Sequence, residues 1–237
     1  SFEDQVELDK WIINEIKTLQ KEVISLYESF SYHKAIQKIH NFCVNELGGV
    51  YLDIIKDRLY TCKNDSSARR SCQTSLDCIL NILVRLISPI LSYTAEEIWQ
   101  TSNRLNSQED SVFLSNFDNF DNFEEDTKSN INQSEWKRIF EIKDAVNQTI
   151  EEMRNENKIK GSLDSIVDIQ ANTDDISVLN KLGEELHFLL ISSEANLSKG
   201  KSFKIKVNPS NNTKCVRCWH RCSSVGSNKE HPELCNR

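Results

Sequence analysis

The chain has little of what punctuates a β-rich fold: 237 residues hold 3 Pro and 6 Gly. So few turn formers exclude an architecture of many short strands and favour long helices. Hydrophobic residues make up 38%, modest but sufficient for the core of one or two domains. No apolar run reaches the roughly eighteen residues that a membrane-spanning helix needs. Ser1-Phe2-Glu3-Asp4 lacks the basic and apolar regions of a signal peptide and reads as the middle of a longer polypeptide. The expected location is the cytoplasm, with no membrane partner. A Gly-rich phosphate loop, a Gly-x-Ser-x-Gly elbow and a His-Glu-x-x-His helix are also missing. His33, His40 and His187 sit in helical patterns, and Glu151-Glu152 reads as a solvated helix face. No catalytic residue is therefore assigned.

What is present is unevenly distributed. The net charge is -7, yet residues 199–237 carry nine Lys/Arg against two Glu, a local balance of +7. Residues 106–134 carry seven Asp/Glu and one Lys, a balance of -6. A basic tail on an acidic chain can attract phosphates or simply stay solvated. The cysteines divide likewise. Cys43, Cys62, Cys72 and Cys78 are scattered through helical segments as reduced thiols, whereas Cys215, Cys218, Cys222 and Cys235 crowd the tail. Without a secretion signal, clustered cysteines favour metal over disulfides.

Hydrophobic spacing of three and four predicts helices over 5–30, 33–47 and, more densely, Val50–Tyr60, with Gly48-Gly49 as a stop before the last. Leu76 to Ile87 lines a long helix ending by Pro89, and Thr94-Ala95-Glu96-Glu97 reads as a capping box opening a helix through Trp99. Residues 106–133 lack a period and read as a loop or insertion. Glu135–Asn157 is helical again. Ser165–Gln170 and Phe203–Val207 alternate as strands around a helix over Ile176–Leu190. The expected fold is mainly α: an antiparallel helical bundle over 1–160, a small α/β junction subdomain over 161–208, and a zinc-ribbon-like module over 209–237.

Cys215-x2-Cys218, followed by Cys235, is three quarters of a zinc ribbon. Zinc takes four ligands in a tetrahedron, and a Cys-x2-Cys turn points two thiolates at one ion. The fourth ligand is expected from a cysteine just beyond Arg237, with His231, Cys222 and His220 as alternatives within the chain. Thiolates drain the ion's Lewis acidity, so one structural zinc per chain is expected. Arg217 and Trp219 flank Cys218. Arg pairs with phosphate or a base edge, and Trp either stacks an unpaired base or covers the metal knuckle.

Several stretches resemble isoleucyl-tRNA synthetase of bacterial type. They are Tyr51-Leu52-Asp53-Ile54-Ile55-Lys56-Asp57-Arg58-Leu59-Tyr60, Ala68-Arg69-Arg70-Ser71-Cys72-Gln73-Thr74 and Ser88-Pro89-Ile90-Leu91-Ser92-Tyr93-Thr94-Ala95-Glu96-Glu97-Ile98-Trp99. Gly161-Ser162-Leu163, Cys215-Val216-Arg217-Cys218-Trp219-His220 and Glu230-His231-Pro232-Glu233-Leu234-Cys235 follow in the same order. The resemblance implies the carboxy-terminal, tRNA-binding part of a class I ligase that joins isoleucine to tRNA-Ile. ATP and Mg2+ belong to a catalytic domain whose H-I-G-H and K-M-S-K-S signatures this chain lacks. It implies the anticodon arm of tRNA-Ile as partner and a monomer as the working state. Arg217 and Trp219 are the leading contacts; Arg69, Arg70, Lys56 and Arg58 are candidates for phosphate, or surface charges paired with Asp53 or Asp57. A zinc-containing protein-interaction module and the anticodon-binding domain of a valyl or leucyl enzyme are the alternatives.

Overall fold

A computed structural model describes residues 5–102, 109–117 and 129–237, so the start of the chain and part of the expected 106–133 loop lie outside the described residues. The chain divides into two compact units. One is Ser1–Leu59 with Asn64–Ser129; the other is Tyr60–Lys63 with Asn130–Arg237.

The first unit is helical: α1 (Glu7–Glu28), α2 (Tyr32–Asn41), a π-helical stretch (Phe42–Tyr51), α3 (Leu52–Thr61), α4 (Ser67–Ile87) and α5 (Ser92–Thr101). Leu8, Ile12, Ile16, Leu19 and Val23 form the buried stripe of α1. Each such side chain, fully buried, contributes about 1.5–3 kcal/mol. Side-chain contacts give the directions. Lys38 pairs with Glu22 at 2.7 Å and Tyr51 reaches Asp9 at 2.8 Å, so the α2–α3 rod runs back along α1. Val6 N–H donates to Ser71 at one end and the Tyr27 hydroxyl donates to the Leu86 carbonyl at the other, so α4 runs the same way as α1.

Two local expectations are corrected here. Gly48-Gly49 does not stop a helix, because the chain runs through it in wide turns. A Cβ on Gly48 would lie 2.9 Å from the Cys43 carbonyl oxygen, and one on Gly49 3.0 Å from that of Val44. The glycines permit the i→i+5 close approach that a π-helix requires. Nor is Thr94 a cap: α5 begins two residues earlier, at Ser92, with no side-chain cap. Within α5, Glu96 accepts from Ser111 Oγ at 2.8 Å and from Val112 N–H at 3.1 Å, tying a short 3-10 turn (Val112–Leu114) to α5. Trp99, fully buried against Val84, Ala95 and Val112, is the centre of that contact.

The second unit contains α6 (Gln133–Asn155), a 3-10 turn (Ser162–Asp164), β1 (Ser165–Ala171), α7 (Thr173–Asn180), α8 (Glu185–Leu189), β2 (Glu194–Lys199) and β3 (Lys204–Pro209). Asn132 and Glu135 form a reciprocal capping box at the start of α6. β1 is central, parallel to β2 and antiparallel to β3. Its alternation buries Val167, Ile169 and Ala171 on one face. The helix expected over Ile176–Leu190 is two helices, broken where Gly183 takes φ 52. β2 was not expected: an edge strand with few buried side chains carries a weak alternation signal.

Candidate metal centre and RNA-facing surface

The tail folds as a knuckle. Lys214 and Arg221 form an antiparallel bridge at its base. Inside it, Cys215 N–H donates to the His220 carbonyl at 2.9 Å and Trp219 N–H to the Cys215 carbonyl at 3.0 Å. Cys235 returns to this turn, where Val216 N–H donates to the Glu233 carbonyl at 3.3 Å. The sulfurs of Cys215, Cys218 and Cys235 lie within 4.8 Å of one another, and those of Cys218 and Cys235 are 3.6 Å apart. Thiolates about 2.3 Å from one tetrahedral zinc stand roughly 3.8 Å from each other, so this donor set fits the ion. Cys215 and Cys218 are buried and Cys235 is half-buried.

The three thiols differ. Burial raises Cys215, but the backbone N–H groups of Cys218, Cys235 and Arg217 outweigh it and bring the thiol down to about 7. Burial pushes Cys218 up to about 12, and burial likewise raises Cys235. Bound zinc would hold all three as thiolates and cross-link a segment with little apolar core.

Among the described residues the cluster holds these three cysteines and no further ligand. Of the alternatives, Cys222 Sγ lies 3.4 Å from Ser224 Oγ, and His231 is exposed. His220 is buried, with its ring edge-on to His187 and Phe188 at 5.9 and 5.5 Å. That contact docks the knuckle on α8. Arg237 adds to it, its guanidinium 4.5 Å from the Phe188 ring and 3.4 Å from Cys62 Sγ.

Trp219 is 61% exposed, at φ 65, with the Lys214 ammonium 5.4 Å from its ring. A left-handed conformation costs a residue with a side chain about 1–2 kcal/mol, and here it turns a large aromatic face to solvent. Arg217 is exposed beside it. Lys199, Lys201, Lys204, Lys206 and Lys214 are exposed as well, so the basic excess of the tail lies on the surface.

The candidates in the first unit are of three kinds. Lys56 is exposed but bridged to Asp53 at 2.9 Å. Arg69 donates to Asn64 at 2.9 Å near the start of α4, and Arg70 beside it is exposed. Arg58 is 2% exposed and clamps the Asp9 carboxylate at 3.1 and 3.2 Å. A guanidinium so enclosed is committed to the bundle, so the expectation of a phosphate contact does not fit its placement. Asp9 also accepts from Tyr51 and Ser71. Burial raises the Asp9 carboxyl against the opposing pull of Arg58, Ser71 and Tyr51.

The sequence reading missed the residues that seat the knuckle. Arg221 donates through Nε to Asp164 at 2.7 Å and through its guanidinium to the Asn212 carbonyl at 3.1 Å; its backbone N–H donates to Ser193 Oγ at 2.7 Å. Burial alone would raise Asp164, but the Arg221 guanidinium outweighs it and holds the carboxyl below its usual range. No spacing links positions 164, 193 and 221, so only their charge and hydroxyl chemistry offered a signal.

Comparison with known proteins accounts for both units. Residues 9–170 match the family model described as anticodon-binding domain of tRNA ligase, and residues 213–237 match the zinc finger found in FPG and IleRS. Isoleucine--tRNA ligase of Teredinibacter turnerae is 42% identical over 249 residues, covering 100% of this chain. Those of Legionella pneumophila (strain Corby) and Pectobacterium carotovorum are 42% and 40% identical, covering 98% and 99% of it. The chain spans 26% of the length of each of these relatives and corresponds to their C-terminal region. With a family model matched from α1 through β1, the chain belongs to the family of anticodon-binding domains of tRNA ligases.

Proposed function

We propose that this chain is the tRNA-binding part of an isoleucine--tRNA ligase and that it takes the anticodon arm of tRNA-Ile. The observation that carries this reading is the knuckle: three thiols gathered around one point, presenting an exposed Trp219 beside an exposed Arg217. Unpaired anticodon bases stack on aromatic faces and guanidinium planes. The exposed lysines of the tail provide a positive field for the phosphates. Arg69, Arg70 and Lys56 are proposed as phosphate contacts of the helical unit. Anticodon binding is assigned to residues 1–160, the junction to 161–208 and the metal module to 209–237. One structural zinc per chain is held by Cys215, Cys218 and Cys235, with the fourth ligand from a cysteine following Arg237 in the longer polypeptide. Isoleucine activation with ATP and Mg2+ is placed outside these residues, in a monomeric cytoplasmic enzyme.

Binding of tRNA-Ile and of an unrelated tRNA to the parent, Trp219→Ala and Arg217→Ala proteins tests this, each protein first checked for zinc. Loss of a stacking Trp should cost about 1–3 kcal/mol. Loss of a phosphate contact should weaken all tRNAs alike and flatten the salt dependence. Two variants that bind tRNA-Ile as the parent does, and no better than the unrelated tRNA, would refute the assignment.

A further inference from the structure

A metal held by Cys215, Cys218 and Cys235 would tie the tail only to itself, since these three sulfurs come from within 215–235. What aims it is separate. The chain enters the exposed turn at Lys214 and leaves it at Arg221, the two residues of the bridge at its base. Arg221 is then gripped at three places. Its Nε meets Asp164 at 2.7 Å, its guanidinium meets the Asn212 carbonyl at 3.1 Å, and its backbone N–H meets Ser193 Oγ at 2.7 Å. Each grip is part of the sheet's frame. Asp164 closes the 3-10 turn that leads into β1, and its carbonyl accepts from Ser210 N–H, just past β3, at 2.8 Å. Ser193 immediately precedes β2; its N–H donates to the Ser165 carbonyl at 3.0 Å and its hydroxyl to the Leu163 carbonyl. One arginine at the foot of the turn is thus held at the ends of all three strands.

We propose that the Asp164–Arg221 pair is a positioning device for RNA binding, fixing the direction in which the knuckle presents Trp219 and Arg217. This rests on the RNA-binding reading of the knuckle. Neither Asp164 nor Arg221 need touch the RNA. A planar guanidinium paired with a carboxylate holds direction better than an ammonium, and preorganisation lowers the ordering cost of binding. His220 against Phe188 holds the module to α8 by ring contacts, which resist rotation less than a directed ion pair.

The test uses the full chain and an RNA hairpin carrying the anticodon arm of tRNA-Ile. Affinity and zinc content are measured for the parent, Asp164→Asn, Arg221→Lys, Trp219→Ala and the Trp219→Ala/Asp164→Asn double variant. Trp219→Ala should weaken binding about five- to hundredfold. Asp164→Asn and Arg221→Lys should keep zinc and weaken binding about threefold or more, while the double variant loses less than the product of the two single losses. That non-additivity is the signature of an effect exerted through Trp219, which a general loss of stability does not produce. Parent-like binding by Asp164→Asn beside a weakened Trp219→Ala overturns the inference alone, as does a fully additive double variant. Zinc loss in Asp164→Asn also overturns it, since the pair would then hold the metal and not the aim. Parent-like binding by Trp219→Ala removes Trp219 as an RNA contact and overturns the inference with it.

Discussion

Arg58→Met should be among the most damaging single changes in the helical unit. The Asp9 side chain is fully buried and the Arg58 side chain is 3% exposed, so neither charge is shared with water. Asp9 accepts from Arg58 at both oxygens, from the Tyr51 hydroxyl and from the Ser71 hydroxyl, which itself accepts from Val6 N–H. Methionine preserves much of the arginine's apolar stem and removes the charge. The carboxylate keeps its two hydroxyl donors and loses its counter-ion. Breaking a buried pair on one side costs about 3–5 kcal/mol, a large share of the roughly 5–15 kcal/mol that stabilises a domain. The penalty should depend on pH. Burial already raises the Asp9 carboxyl, and without Arg58 it rises further. A raised carboxyl favours the folded state when protonated, and that stability is lost as pH rises through its folded value. The difference between variant and parent in urea denaturation should therefore be larger at pH 8 than at pH 5. A difference under about 1 kcal/mol at pH 8, or one that grows on acidification, would show that the network is not the charged clamp described. The same protein, under conditions where it stays folded, should bind RNA with the parent's salt dependence.

Four further outcomes follow from local geometry. Gly48→Ala, which in an ordinary helix would add up to about 1 kcal/mol, should instead destabilise by about 1–3 kcal/mol, because its Cβ would stand 2.9 Å from the Cys43 carbonyl; a raised melting temperature refutes this. A chelator should strip zinc while leaving most of the helical circular dichroism, and cooperative loss of the whole signal would show that the bundle depends on the tail. Zinc affinity, followed by competition with a chromophoric chelator, should fall from pH 8 to pH 6 as protons compete for the thiolates; a flat profile is the contrary result. In the second unit, Arg138 lowers the carboxyl of Asp175 and Arg221 that of Asp164, so the stability they provide is present above the ordinary carboxylate range and lost as pH falls below about 4. Asp175→Asn should flatten that acid limb of the stability profile, and an unchanged limb would exclude the pair as its source.

The parts of the fold legible in the sequence are those where one period governs. Ile12, Ile16, Leu19 and Val23 state the buried face of α1, and Val167 and Ile169 that of β1. The thiol cluster is legible for a similar reason: two sulfurs share one short turn, and Cys235 lies in the same tail. Illegible parts depend on partners far apart in the chain. Thr94 and Glu97 look like a capping pair although the helix begins two residues earlier, Glu96 shows no role until Ser111 and Val112 are placed beside it, and Arg58 looks like a surface charge until Asp9 is placed opposite. β2 escapes because an edge strand need bury little, and Gly183 because one residue at positive φ leaves no mark on hydrophobic spacing.

The π-helical stretch has a consequence for timing along the rod. At about 100° per residue, Phe42 and Tyr51 would fall half a turn out of step in an uninterrupted α-helix. Both are buried, at 4% and 0% exposure, and Tyr51 reaches α1 through Asp9. The wide turns therefore act as a phase shifter: they delay the helix's rotation so that the stripe containing Ala35, Ile39 and Phe42 and the one containing Tyr51, Ile54, Ile55 and Arg58 are both turned into the core. Gly48 and Gly49 thus govern the Asp9 clamp through the helix's phase, in the way that the pitch of a screw governs which side of the bolt faces the nut.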